Sequence, residues 1–255
     1  MRRLTRDFAI LSMAVMLPML ADAVEVRTAP QNSQPKFIKG EDGFSGLCID
    51  IFKAIERVDP SLKFSEMKEY VSLPRIEALL EDGSLDAFCG TAKTEARKAR
   101  VDFIEVPIYV THSVLAARAD DPADIGSFDD LRKLGDEAIV LAVSRTVQAE
   151  KLAAQPGIKF DLGGKDTSAN LRKLVEGRGR FVFQNDFALA DEIKRDKLVG
   201  KVRILPANLD SEGGERYFVV SRKASPEIKA KLRAALEKLA RNGELEKLFA
   251  PYRPR

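Results

Sequence analysis

Short apolar runs alternate with amphipathic stretches along almost the whole chain, and this alternation constrains the fold more than any other feature. VEVRTAP, LKFSEM and LDAFCG read as strands; the last is short and continuously apolar, as in a strand covered on both faces. Between them, LCIDIFKAIERV sets Ile49, Phe52 and Ile55 at helical spacing, and LPRIEALLEDG reads as a helix closed by Gly83. After a stretch read as irregular the pattern restarts. HSVLAARA, AIVLAV, IKFDL, RFVFQ and KVRIL read as strands; SFDDLRKLG, TVQAEKLAAQ, DTSANLRKLVEGRG and DFALADEIKRDKL read as helices. Ser127 with Asp130 three residues on gives the first of these a capping-box-like start. The polar, glycine-rich DSEGGER then reads as a linker or hinge, followed by a strand, RYFVVSRK. A strong helix comes next, with Ser225 as N-cap, Pro226 in the first turn and Ile228, Leu232, Leu236 and Leu239 as its apolar stripe. Strands alternating with helices of this length predict βαβ units in two blocks, with a helical tail.

Ligands in such sheets sit outside the carboxyl ends of the strands, which directs attention to DAFCGTAKTEARKARVDF, residues 86–103. Here a strand exits through Cys89-Gly90 into a turn and a short helix with Thr94 as N-cap. Gly90 permits close approach of backbone to a ligand. Helix N-terminal N–H groups and an arginine fork together form a coherent carboxylate site. The competing reading is that Lys93, Arg97, Lys98 and Arg100 are a solvated helix face, which spacing alone favours.

Composition narrows the function classes. The 255 residues carry 42 Lys plus Arg against 39 Asp plus Glu, so no bulk field argues for nucleic acid. Residues 1–23, MRRLTRDFAILSMAVMLPMLADA, have a basic start, an apolar run and an A-x-A end. That is the pattern of a cleaved export signal, and the run is short of the roughly 20 apolar residues of a membrane span. The mature chain is therefore expected to be soluble and exported. Two cysteines, Cys48 and Cys89, in an oxidising compartment are either paired or two separate buried thiols; with one histidine, His112, they fall short of a zinc site. No Walker A, G-x-S-x-G or Ser-His-Asp set is present, and no cofactor or metal is expected. Glu105 and Asp186 are the one pair weighed as an acid and base across a cleft.

Several landmarks in order resemble one family, the bacterial extracellular solute-binding proteins of family 3, polar amino-acid class. They are GFSGLCIDIFKAIE, LLEDGSLDAFCGTAKTEARKARVDFIEVPIY, SFDDLRKLG, KLVEGRGRFVFQND and NGELEKLFAPY. The resemblance implies a two-lobed α/β periplasmic-binding fold of type II, each lobe a mainly parallel sheet flanked by helices, with a two-strand hinge. Lobe one would hold 24–110 and 216–255, lobe two 111–215, with crossovers near 108–112 and 211–216. It implies a monomeric receptor that closes on a small carboxylate-bearing solute and delivers it to an ABC-type permease. The alternatives are a cyclohexadienyl or arogenate dehydratase-like enzyme on the same scaffold, and a sensing module for a membrane receptor.

The resemblance also assigns residues. Arg97 would clamp a carboxylate, and Gly90 would offer its carbonyl beside Thr91 and Ala92. Ser144-Arg145-Thr146 would form the turn of the second lobe. Asn185 stands where the family has the aspartate for the ligand's ammonium, with Asp186 adjacent. Ala92 stands in place of a hydroxyl. Gln34 and Leu73 stand at aromatic positions, with Tyr70 close to the latter. These departures imply a polar solute with a carboxylate that need not be an α-amino acid.

Overall fold

The structure, a computed structural model, describes residues 23–205, 209 and 214–253. The expected export signal, apart from Ala23, and residues 211–213 of the expected second crossover lie outside the described residues. In chain order the first part holds β1 (Val24–Val26), β2 (Ile38–Gly40), β3 (Gly43–Ser45), α1 (Leu47–Val58), β4 (Leu62–Phe64), α2 (Leu73–Asp82), β5 (Ala87–Ala92), α3 (Glu95–Lys98) and β6 (Asp102–Val110). The second holds β7 (Ser113–Arg118), α4 (Phe128–Lys133), β8 (Val140–Val143), α5 (Val147–Ala153), β9 (Phe160–Gly164), α6 (Thr167–Val175), β10 (Phe181–Asn185), α7 (Asp186–Arg195) and β11 (Val202–Ile204). The chain then returns through β12 (Glu215–Val220), α8 (Pro226–Arg241) and α9 (Glu244–Phe249).

The helices follow from local chemistry. α8 starts where the Ser225 hydroxyl accepts the Ile228 N–H, with Pro226 at a position that needs no donor, and it buries Ile228, Leu232, Leu236 and Leu239. α2 stops at Gly83, whose φ of 81° is left-handed. α1 buries Leu47, Cys48, Ile51, Phe52 and Ile55 and leaves its charges outside.

The α/β class is as expected, but the strands pair in a mixed fashion rather than mainly in parallel. β1 and β4 are parallel, whereas β12 enters between β5 and β6 and runs antiparallel to both. The second sheet has the order β11-β7-β10-β8-β9; β10, β8 and β9 are parallel, and β7 opposes β10 and β11. The cause is the returning chain: a strand that re-enters a sheet from a crossover at its far end must run the opposite way. Residues 102–110, read as irregular, form the nine-residue β6. Its apolar alternation is broken by Glu105 and Pro107, and its register against β12 shifts twice.

One core gathers Phe37, Phe52, Phe88, Phe218 and Leu236 from both ends of the chain. The second sheet is covered on both faces. Leu115, Phe181 and Phe183 enter one core and Ala116 and Val182 the other, the two-residue period of a strand. Cys48 and Cys89 are bonded, tying α1 to β5 with their Cα atoms 6.0 Å apart. The connections between the two sheets run side by side. Val110 lies opposite Glu215, and the Thr111 N–H donates to the Gly214 carbonyl at 2.9 Å. Gly214 fits there because any Cβ would fall on the Thr111 carbonyl.

Candidate functional site

The four basic residues after β5 separate cleanly. Lys93 pairs with Glu105, Lys98 with Glu95 and Arg100 with Glu81, all at the surface. Arg97 is only 9% exposed. The Thr94 hydroxyl accepts the Arg97 N–H, so that donor is spent on the cap and the guanidinium is the group α3 turns inward. Its Nε donates to Glu77 Oε1 at 3.0 Å, and its two terminal nitrogens reach the carbonyls of Ala92 and Arg145 at 3.3 and 3.5 Å. Those last two contacts are at the long limit of a hydrogen bond, which leaves the fork exchangeable toward a carboxylate.

Arg97 stands between compartments of one cleft walled by both sheets. A central chamber of about 100 Å³ is lined by Lys36, Gly90, Thr91, Ala92, Arg97, Thr146, Asn185 and Arg216 among others. An outer chamber of about 370 Å³ takes in Arg97, Thr91, Glu77 and Arg145. A third, of about 410 Å³, takes in Gln34, Tyr70, Ser144 and Thr146. Leu73 borders all three. At the central chamber the ladder between β5 and β12 slips, and Gly90 is the residue passed over, with φ 82°. A Cβ there would come within 2.3 Å of the Tyr109 hydroxyl and 2.7 Å of Lys36 Cδ. The Thr91 hydroxyl beside it is buried and has no protein partner.

The other expected residues are placed as follows. Thr146 caps α5, accepting the Ala149 N–H and donating to the Val143 carbonyl. Arg145 adopts a left-handed φ of 59° that turns its carbonyl toward Arg97. Tyr70 is held through its hydroxyl, which donates to the Phe37 carbonyl and accepts the Lys39 N–H, so it borders the third chamber as a fixed wall. The Gln34 carbonyl oxygen meets Arg195 of α7 across the cleft. Asn185 caps α7, its Oδ1 accepting the Ala188 N–H while its Nδ2 donates to Gln184. Asp186 faces the crossover instead: its carboxylate takes the His112 N–H at 3.0 Å and lies 3.3 Å from the imidazole. It lines none of the three chambers, because the first turn of α7 rotates it away from Asn185. Glu105, on Lys93 at the surface, and Asp186, on His112, do not form a pair.

Two further residues emerge from the structure. Gln184 is buried and joins Asn185 to Thr167. Lys36 is 5% exposed, with Nζ 2.7 Å from Gln31 Oε1 and 4.6 Å from the centre of the Phe88 ring. Burial, with Arg216 and Arg97 nearby, pushes its pKa down to about 7. The only sequence signal for it is its place directly before the core residue Phe37. Among the described residues no group of three or more His, Cys, Asp or Glu gathers to hold a metal ion, and no helix is long and apolar enough to cross a membrane.

Comparison with known proteins places this geometry. The profile of the bacterial extracellular solute-binding proteins, family 3, matches residues 24–254. A probable histidine-binding protein of Neisseria gonorrhoeae is 24% identical over 174 residues, 68% of this chain and 62% of that protein; the chain thus spans about three fifths of that relative's length. An ancestral arginine-binding protein bound to arginine superposes with a TM-score of 0.73 at 24% identity, covering 89% of this chain and 97% of the other. The substrate-binding protein of an amino acid ABC transporter gives 0.75 at 20% identity, covering 91% and 100%. An ancestral amino acid-binding protein, a precursor of cyclohexadienyl dehydratase, gives 0.72 at 19% identity, covering 89% and 94%. At these identities the likeness to solved structures is one of fold.

Proposed function

We propose, from the premise that this chain belongs to family 3 of the bacterial extracellular solute-binding proteins, that it is a periplasmic receptor for a small solute bearing a carboxylate. The observation that carries this is Arg97: one buried guanidinium at the exit of β5, facing a cleft walled by both sheets. Its fork matches a carboxylate, and its present carbonyl contacts are weak enough to yield to one. Gly90, Thr91 and Ala92 supply the wall beside it, Arg145, Thr146 and Asn185 face it from the second sheet, and Ser144 borders the third chamber. Gln34 and Tyr70 border the same third chamber.

The mechanism is closure about the paired crossovers at 110–112 and 214–215, with 24–110 and 216–255 as one lobe and 111–215 as the other. A ligand that touches both lobes favours the closed form by its differential contacts, and the closed form is what an ABC-type permease receives. The receptor acts as a monomer. Glu105 and Asp186, the one pair weighed as acid and base, are engaged elsewhere; the dehydratase-like alternative rests on the shared scaffold instead and is separated from the receptor by a search for product.

The test is a thermal-shift screen of the purified mature chain against amino acids, small carboxylic acids and amines. A ligand at about 100 times its Kd adds about 2.7 kcal/mol, which for a chain of this size raises Tm by roughly 5–10 °C. Chromatography of the incubated mixture separates the two classes: unchanged solute supports a receptor, and a product supports an enzyme. No shift with any carboxylate defeats the proposal.

A further inference from the structure

The charges around the central chamber narrow the solute further. Its described lining residues include three cations, Lys36 from the β1–β2 connection, Arg97 from α3 and Arg216 from β12, and no carboxylate. Glu77 offsets part of one of them, since it holds Arg97 by Nε from the side of the outer chamber. Asn185, where the family resemblance sets an aspartate, brings no charge, and its side chain is committed to the Ala188 N–H and to Gln184. An ammonium entering this chamber would meet Lys36 and the Arg97 guanidinium with no carboxylate among the described lining residues, which costs binding energy rather than adding it.

Lys36 is the second half of the argument. A buried ammonium is stabilised only when a counter-charge or a full set of acceptors surrounds it. Its described surroundings are one neutral amide oxygen, that of Gln31, and the faces of Phe88 and Phe37. Beside it, the Thr91 hydroxyl is buried without a protein partner. We propose, building on the receptor reading above, that the solute is a small dicarboxylate: Arg97 takes one carboxylate, and Lys36 with Arg216 takes the other where an amino acid would carry its ammonium. The chamber of about 100 Å³, well below the 300–1,000 Å³ of pockets for drug-sized ligands, suits a short chain between the two groups.

The protonation of Lys36 is coupled to this site. The groups that face it are Arg97 from α3, Arg216 from β12 and Gln31 from its own segment, together with the Phe37 and Phe88 rings; the Tyr109 phenol of β6 lies with it against Gly90. Burial and the two arginines hold its pKa down to about 7. A bound carboxylate raises it, so dicarboxylate binding takes up a proton at mildly alkaline pH.

Isothermal titration of the purified mature chain with succinate, glutarate, butyrate, glutamine and arginine decides the matter. Succinate or glutarate is expected to bind at least about tenfold more tightly than butyrate or either amino acid, the cost of leaving a buried cation site unfilled. At pH 8, titration in buffers of different ionisation enthalpy reads proton uptake with the dicarboxylate. Lys36→Gln is expected to bring succinate affinity down to that of butyrate. Asn185→Asp keeps a good N-cap and is expected to weaken succinate several-fold, which holds the proposal to account even where the Lys36 variant folds poorly. Tighter binding of glutamine or arginine than of either dicarboxylate overturns the dianion while leaving the receptor intact. Equal affinity for butyrate and succinate overturns the second anion site and leaves the Arg97 clamp. Absence of binding by all five overturns the dicarboxylate and the carboxylate receptor together.

Discussion

At the scale of single residues the proposed site depends on two buried cations of different legibility. Spacing alone favours a solvated face for all four basic residues after β5, and it is the family resemblance that singles out Arg97, the one the structure turns inward. Replacing Arg97 by Gln should weaken binding of the preferred carboxylate by about 10–100-fold, the worth of one or two charged hydrogen bonds. Arg100→Gln, on the exposed Glu81 pair, should leave it within about twofold. Calorimetric titration of both variants with the same ligand makes the comparison. Lys36 was not legible, because its burial comes from residues 31–37 folding over β5, a long-range packing event with no local pattern. It makes a distinct prediction about pH. Its folded pKa of about 7 lies below its ordinary 10.5, so between these values the unfolded chain holds more protons and stability rises with pH. Below about 7 both states are protonated and the penalty is complete. Lys36→Met should therefore stabilise the ligand-free protein near neutral pH, and its Tm advantage over wild type should shrink steadily from pH 7 to 10. An advantage independent of pH would mean that Lys36 is solvated.

At the scale of elements, what could be read was what is written locally. Ser225, Pro226 and Gly243 bracket α8, Ser127 caps α4, and Gly83 ends α2. Strand pairing was not readable, because β12 finds β5 and β6 across more than a hundred residues, and nothing in RYFVVSRK states its direction. The same holds for β6, whose charged and proline positions hide a strand that only its partner makes regular. The disulfide lies between these cases: two cysteines in a chain expected to be exported left pairing open, and the fold brings Cys48 on α1 and Cys89 on β5 together. It closes a loop across a sequence separation of 41, for which chain entropy predicts up to about 4 kcal/mol of stabilisation. The Cys48→Ser, Cys89→Ser double variant should unfold at lower denaturant concentration by a matching amount. A loss well under 1 kcal/mol would indicate that the unfolded chain is already compact in that loop. The change falls next to Gly90 and Thr91, so ligand affinity of the folded variant measures how far the bond also holds the chamber wall.

At the scale of the whole molecule, the alternation of strands and helices marked two α/β bodies, and the packing shows how they meet. Tyr109 and Phe249 of the first core stack on each other and meet Phe187 of α7 at tilted angles, so the two bodies share an apolar contact next to the paired crossovers. Among the described residues the side-chain contacts across the cleft mouth are polar: Gln34 with Arg195, and Arg97 with the Arg145 carbonyl. Under the proposed closure, a joint that is apolar beside the crossovers and polar at the mouth opens at the mouth. On the closure mechanism proposed above, the Gln34–Arg195 contact exists only in the closed form, and it touches the third chamber rather than the central one. Removing it should therefore act on the equilibrium between forms. Arg195→Gln gives up one partly exposed charged hydrogen bond of the closed state, about 0.5–1 kcal/mol, which lowers apparent affinity about two- to fivefold by reducing the population competent to hold the ligand. The free variant also loses stability, because Glu192, whose carboxyl burial raises above the usual range, loses its partner on the same helix. Thermal unfolding without ligand isolates that second effect. Small-angle scattering should then show the wild type contracting at saturating ligand and the variant reaching the same dimensions only at proportionately higher concentration. An unchanged radius of gyration in both would mean that the two bodies are fixed and that the ligand enters a preformed cleft.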